Sequence, residues 1–579
     1  MDRRDVLKFG LATAGSGLAA RVATAQVPQS GLLFPDGYQA PGYAALPSPL
    51  ARPFVAPLYI PPAINPVPAS ALNPPPDPAR HQRYNEFPPQ KFYIQTLNEF
   101  KWVYHPDPPY GNGSWSWGFD GQTPGPTFHA KYGEPILVRR INNLPPVGAA
   151  KVSWALPSST IHVHNGHQAS ESDGNPVDFT FPGEFWDHHY PNFPAGFDPR
   201  EKLSTLWYHD HRLDFTATNV YAGLAGFYLL FDDLDSNNEN DPNPNAFRLP
   251  SGQFDIPLLI HDVRFDQNGV PAWDFTGALP QPSSTEVGGF LSGAPYTNHG
   301  MLGDRFTVNR TILPYLQVQR RKYRFRLLNG GPSRLLRLTL ATASSDAVPF
   351  VVISNDGDML PEPLVVDTVD AWPANRYDII VDFSQFNNGD YIYLTNWLEP
   401  RPDGAGFSGK LLATGDQIMR FDVVGGPVQD PSQIPDQLRE LPPIDFSQVK
   451  RRRTFVFDYD NGLWTINGQL MDPNRIDVGI EQGSAEIWTF RNDGNNWAHP
   501  IHSHFEEFQI IEINGKPVKP GTLLKSRKDV VQLGPGDEIK IYGHWRDFLG
   551  KYVLHCHNVV HEDHAMMLRW DIVPPGQGF

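Results

Sequence analysis

The feature that most constrains how this 579-residue chain can fold is that it repeats itself. One stretch runs PILVRRINNLPP, SSTIHVHNGH, STLWYHDH and AGLAGFYLLFD; a later one runs AEIWTFRNDGNN, WAHPIHSH, GKYVLHCH and HAMMLRWDI, with the same parts in the same order. Between them, KYRFRLLNGGPSRLLRLTL keeps the strand, the Asn-Gly turn and the next alternating strand, but has Leu and Arg where the flanking copies have His. A search for repeats comes before any motif, because a missed repeat misassigns the whole fold. The 59 Pro and 50 Gly, with short runs of Val, Ile, Phe, Tyr and Thr, favour strands and turns over long helices. The expectation is an all-β chain of three β-sandwich domains, 86–240, 241–440 and 441–579, the middle one without metal residues. The boundaries fall in the polar runs DLDSNNENDPNPN and GGPVQDPSQIPDQ, and residues 26–85 read as a Pro-rich arm.

At the N-terminus, Arg3-Arg4 precede a short apolar run and the small-residue pattern Ala23-Thr24-Ala25. Residues 1–25 read as a twin-arginine export signal, which implies a periplasmic or secreted protein. Four basic and two acidic residues would leave with it, taking the formal charge from −16 to −18. So acidic a surface argues against nucleic acid and anionic membranes as partners, and no apolar stretch is long enough to span a bilayer. Oligomeric state is not encoded in any motif. Exported proteins usually spend cysteine on disulfides, yet Cys556 is alone. It is either an apolar filler or a reactive or metal-binding thiol.

Four short stretches hold ten histidines of interest. Alternate residues of a strand share a face, so each His-x-His offers two imidazoles to one site. If His555 and His557 face one way, Cys556 faces the other, and two metal sites are joined through a few covalent bonds. His561 and Met566 follow Cys556 across a turn, while His499 comes from another strand. Two imidazoles, a thiolate and a thioether suit a blue-copper electron-transfer site better than zinc; Met566, like Met567, is otherwise ordinary core. The remaining eight imidazoles, His162, His164, His209, His211, His502, His504, His555 and His557, exceed what one ion needs. Three copper ions sharing them, with oxygen species in the open positions, fit.

On these four motifs, and on a repeat covering nearly everything from about residue 90 onward, the sequence resembles three-domain bacterial multicopper oxidases of the laccase and bilirubin oxidase type. The resemblance implies cupredoxin-like Greek-key sandwiches and four copper ions per chain. It implies type 1 copper on His499, Cys556, His561 and axial Met566, and type 2 copper on His162 and His502. A type 3 pair would lie on His164, His209, His211, His504, His555 and His557. Where the family usually has an aromatic in the first motif and a Gly after it, this chain has Val163 and Asn165, then an additional His167.

The implied chemistry is one-electron oxidation of a reductant at type 1 copper, repeated four times, with transfer along Cys556 to the cluster where O2 becomes two waters. Protons must also arrive. Glu562 and Asp173 resemble the family's acidic residues near oxygen, the alternative being solvated loop carboxylates. Asp210, between two ligands on an extended strand, should point away from them. Trp497, two residues before His499, either contacts substrate and modulates electron uptake or is packing. His81, His105, His129, His188, His189, His261, His299, His544 and His564 complete no repeat-matched cluster. Phenols and related small aromatics are the expected reductants, with a metallo-oxidase of Mn(II), Fe(II) or Cu(I) as the alternative. Only seven Met in the chain disfavours Cu(I) recruitment. A non-catalytic scaffold of this fold would lack the ligands, and a two-domain nitrite reductase would have no use for paired His-x-His motifs.

Overall fold

The computed structural model describes residues 47–273, 300–401, 407–460, 463–493 and 497–579. Residues 1–25, read above as an export signal, lie outside them. Six sheets pair into three sandwiches of strands, each around its own core. In the first, one sheet has the order Ser114–Phe119, Lys91–Trp102, Ile136–Asn142, Phe185–Tyr190, and the other Gly125–Lys131, Ala225–Phe231, Thr205–Asp210, Ile161–His164. Each sheet mixes parallel and antiparallel neighbours, since the chain crosses between sheets rather than turning straight back. Two short helices, Thr216–Ala222 and Val559–Asp563, interrupt the β pattern and pack together. No helix among the described residues is long and apolar enough to cross a membrane.

Ala225–Phe231 reads as one continuous apolar run because both of its faces are covered. One face belongs to the first core; the other joins Trp207, Leu259, Leu328 and Val530 in a cluster drawn from all three sandwiches. Burying side chains of this size stabilises by about 1.5–3 kcal/mol each. The middle unit uses its alternation differently. Arg324 and Arg326, one strand period apart on Lys322–Asn329, are buried against Asp378, Asp235 and Asp255, with closest N–O distances of 2.6 Å. This strand corresponds to Ile136–Asn142 and Ser484–Asn492 of the flanking units, neither of which carries histidine, and its two guanidinium groups fasten the middle sandwich to Ser204 and Thr205 of the first.

The described part of the arm forms no sheet of its own. Its backbone pairs with Leu313 and Tyr315 of the middle sandwich, then with Thr127 and Phe92 of the first. Finally Gln82 exchanges hydrogen bonds with the Leu549 backbone of the third, at 2.9 and 3.0 Å.

Candidate copper centres

Strand register assembles the histidines. Ile161–His164 runs antiparallel to Thr205–Asp210 with His162 opposite His209, and His499–Ser503 runs antiparallel to Gly550–Cys556 with His502 opposite His555. Each ladder therefore brings imidazoles of two strands to one end of its sandwich, and the two ends meet. Ligand nitrogens gather in three sets: His162, His164 and His502; His164, His209 and His557; His211, His504 and His555. All eight side chains are buried.

Second partners fix which nitrogen faces the centre. His162 donates from Nδ1 to the Asp173 carbonyl at 2.6 Å, His209 to the Asp210 carbonyl at 2.8 Å, and His502 to the Asp529 carbonyl at 2.9 Å. In all three the Nε2 atom is buried without a partner. His504 donates from Nδ1 to Asp173 Oδ2 at 2.7 Å. His211 and His555 turn Nδ1 to the two oxygens of Glu562, at 3.2 and 3.1 Å. His164 is reversed, with Nε2 3.3 Å from Asp529 Oδ1 and Nδ1 left over. Gly174 lets Asp173 approach: at φ +79° its added Cβ would lie 2.3 Å from the Ile161 carbonyl oxygen.

The donor set fits copper. The Nε2 atoms of His211, His504 and His555 lie 3.1–3.3 Å apart, and with their Nδ1 atoms turned to Glu562 and Asp173 the neutral rings present three lone pairs to one another. Such spacing is repulsive unless a cation sits between them with bonds of about 2 Å. Burial, reinforced by neighbouring imidazoles, depresses His164, His209, His502 and His504 well below the ordinary histidine range, keeping them neutral. Neutral imidazole is the form a metal needs.

Cys556 faces the opposite side of its strand, into the core of the third sandwich. Its Sγ lies 3.5 Å from both His499 Nδ1 and His561 Nδ1, which are 3.3 Å from each other. Burial pushes the Cys556 thiol well above its usual range, so the thiolate needs a cation beside it. Met566 is wholly buried in the same core and accepts the Cys556 N–H on its carbonyl at 3.0 Å. His561 and Glu562 sit on the one-turn helix Val559–Asp563, capped by Asn558, not on a simple turn. Successive helical residues diverge by about 100°, so His561 turns to Cys556 while Glu562 turns to the other cluster. Burial works to raise the Glu562 carboxyl, but the His555 and His211 imidazoles outweigh it and hold it at about 2.

Asp173 and Glu562 are thus buried among imidazoles and not solvated. Asp210 points away from the ligands, accepting from Ser159 Oγ at 2.6 Å and from the Arg212 N–H at 2.9 Å. Asn165 adopts φ +69° and donates to Glu507 and to the Asp356 carbonyl, while His167 Nε2 meets Asp547 Oδ2 at 3.0 Å. Trp497 packs its ring against Trp464 and under the Arg401 guanidinium. Among the histidines outside the motifs, His105, His188 and His189 bond to backbone carbonyls. His299 lies outside the described residues.

Sequence reading missed three residues. Asp529 bonds His164 and His502 and forms a bidentate pair with Arg376 of the middle sandwich, at 2.8 and 2.5 Å. Trp464 lies flat on His561. An acid immediately before the apolar strand Val530–Leu533 was a readable signal; Arg376 and Trp464 had none.

Models of the multicopper oxidase family match residues 104–234 and 444–576. A bilirubin oxidase of Albifimbria verrucaria is 34% identical over 474 residues, covering 80% of this chain and 74% of that protein. A laccase of Bacillus subtilis is 30% identical over 527 residues, covering 84% and 94%. The crystal structure of the McoA multicopper oxidase from Aquifex aeolicus superposes with a TM-score of 0.67 at 26% identity, over 84% of this chain and 97% of that one. With two histidine ladders meeting around a shared centre, a buried Cys–His–His set behind one of them, and relatives that span nearly the whole fold, the chain belongs to the multicopper oxidase family.

Proposed function

We propose that this copper-dependent oxidoreductase is a laccase-like enzyme with four copper ions, oxidising small phenolic and related aromatic reductants one electron at a time. Bound copper supplies the one-electron steps, so that four electrons and four protons convert O2 to two waters. His499, Cys556, His561 and Met566 would hold type 1 copper. His162 and His502 would hold type 2, with the type 3 ions on His164, His209 and His557 and on His211, His504 and His555.

The observation that carries this reading is the juxtaposition of Cys556, in its own Cys–His–His set, with His555 and His557 of the larger cluster on adjacent residues. Oxidation and oxygen chemistry are thereby separated in space yet linked by a few covalent bonds. The residues around the centres do the remaining work. Asp173 orients His504 and can hold a proton on Oδ1, which lies 3.4 Å from His162 Nδ1. Glu562 bridges His211 and His555 and accepts from Thr216 Oγ1 at 2.7 Å, placing a carboxylate beside the oxygen site. The sandwich limits at 240 and 440 and export through residues 1–25 belong to the same reading, supported by the polar runs and by Arg3-Arg4. Rings of Trp464, Trp497 and Tyr459 around His499 and His561 support aromatic over metal-ion reductants.

Oxygen uptake by copper-loaded protein, with guaiacol compared against Mn(II), Fe(II) and Cu(I), tests the reading. Faster turnover with guaiacol is expected; a clear preference for a metal ion refutes the aromatic assignment.

A further inference from the structure

Neither His499 nor His561 has any solvent exposure, so a reductant in solution touches neither imidazole. Over His561 lies Trp464, ring centroids 3.7 Å apart and planes inclined by 20°. Trp464 is itself fully buried. Behind it stands Tyr459, its direct cross-strand partner, with centroids 4.2 Å apart and planes 37° apart. Tyr459 is partly exposed. Trp497 meets both rings edge-on, at 5.3 Å from Trp464 and 5.8 Å from Tyr459. The antiparallel ladder between Val449–Asp460 and Leu463–Ile466 sets this arrangement, because directly opposed side chains on one face must meet.

We infer that an aromatic reductant delivers its electron to the Cys556–His499–His561 centre through Tyr459 and Trp464, without touching a histidine edge. The inference rests on the proposed oxidase function. Electronic coupling falls steeply with distance through space, and rings in van der Waals contact from the surface to a ligand provide the shortest such path. In each event a phenol loses one electron and its hydroxyl proton. The electron reduces copper(II) to copper(I) at the centre, and the proton leaves to water. Tyr459 and Trp464 end the event unchanged. An aromatic terminus also favours reductants that stack.

The test uses copper-loaded full-length protein and guaiacol without oxygen, following the bleaching of the type 1 absorption by stopped flow. Copper content, the type 1 electron paramagnetic resonance signal and the reduction potential are measured on the same samples. Trp464→Leu keeps the site dry and apolar but removes the ring; it is expected to slow bleaching at least tenfold with potential and resonance signal unchanged. Trp464→Phe, which restores a ring, should return to within about threefold of wild type. Equal or faster bleaching in Trp464→Leu overturns the inference, since removing a mere lid would expose His561. A slower rate with a correspondingly lowered potential also overturns it, assigning the loss to driving force. If Trp464→Leu fails to load copper, Tyr459→Leu decides: a loss of threefold or more is expected, and an unchanged rate overturns the proposal. Wild-type protein that binds copper but is not bleached by guaiacol defeats the proposed function itself, before any variant is compared.

Discussion

Removing the Arg376 guanidinium tests how the middle sandwich supports the copper cluster. Arg376 and Asp529 are both fully buried and joined by two hydrogen bonds. Breaking such a pair on one side leaves an uncompensated charge and costs about 3–5 kcal/mol. Arg376 also donates to the Ala374 and Asp356 carbonyls, so Arg376→Met should fall at the upper end, about 4–5 kcal/mol. In an Asp529→Asn background the stranded charge is gone, and only lost packing and the orphaned carbonyls remain, about 1–3 kcal/mol. The difference, about 2–3 kcal/mol, is the coupling. Guanidinium denaturation of copper-free wild type, both single variants and the double variant, followed by tryptophan fluorescence, measures it. Because Asp529 orients His164 and His502, Arg376→Met should also weaken copper binding roughly 10–100-fold. Equal costs of Arg376→Met in both backgrounds, within about 0.5 kcal/mol, refute the argument.

Glu562→Gln removes a proton carrier and not a ligand, so O2-consuming turnover should fall roughly a hundredfold or more while anaerobic bleaching by guaiacol is unchanged; stopped flow and oxygen uptake separate the two. Cys556→Ser should abolish the blue absorption and aromatic oxidation and bind one copper fewer per chain than wild type, read by metal analysis. Burial works to raise the Asp547 carboxyl, but the bond from His167 outweighs it and holds it at about 2. A folded pKa below the unfolded value stabilises above about pH 4 and loses that contribution as pH falls towards 2. Wild type should therefore exceed Asp547→Asn in denaturation midpoint at pH 6, with the gap narrowing by pH 3; a constant gap contradicts the depressed carboxyl.

The clustering of the histidines was legible because strand geometry is local: period two writes His-x-His into adjacent letters, and four such pairs in duplicated surroundings converge on one place. Cys556 was legible for the same reason, its alternation with His555 and His557 placing it on the other face. The support was not legible. Arg376 reaches Asp529 from 153 residues away, and Trp464 reaches His561 across a hairpin and a helix, with no spacing rule connecting them. Arg334 and Arg337, in the stretch where the flanking copies have His, pair instead with Asp262 and Asp370 at 2.7 Å, since alternation records which positions share a face and not what chemistry fills them.

The arm has a consequence for how the chain is made. Gln82 finds its partner at Leu549, 467 residues later. At roughly 5–20 residues per second, the ribosome delivers that partner about 25–95 seconds after Gln82 itself emerges. Through that interval the first sandwich stands with its last seam open, and the segment that binds Leu313 and Tyr315 waits for the middle unit to appear. The arm is thus fastened in stages, its seam at Gln82 closing last, and the half-sites of the copper cluster come together only once nearly the whole chain has been synthesised.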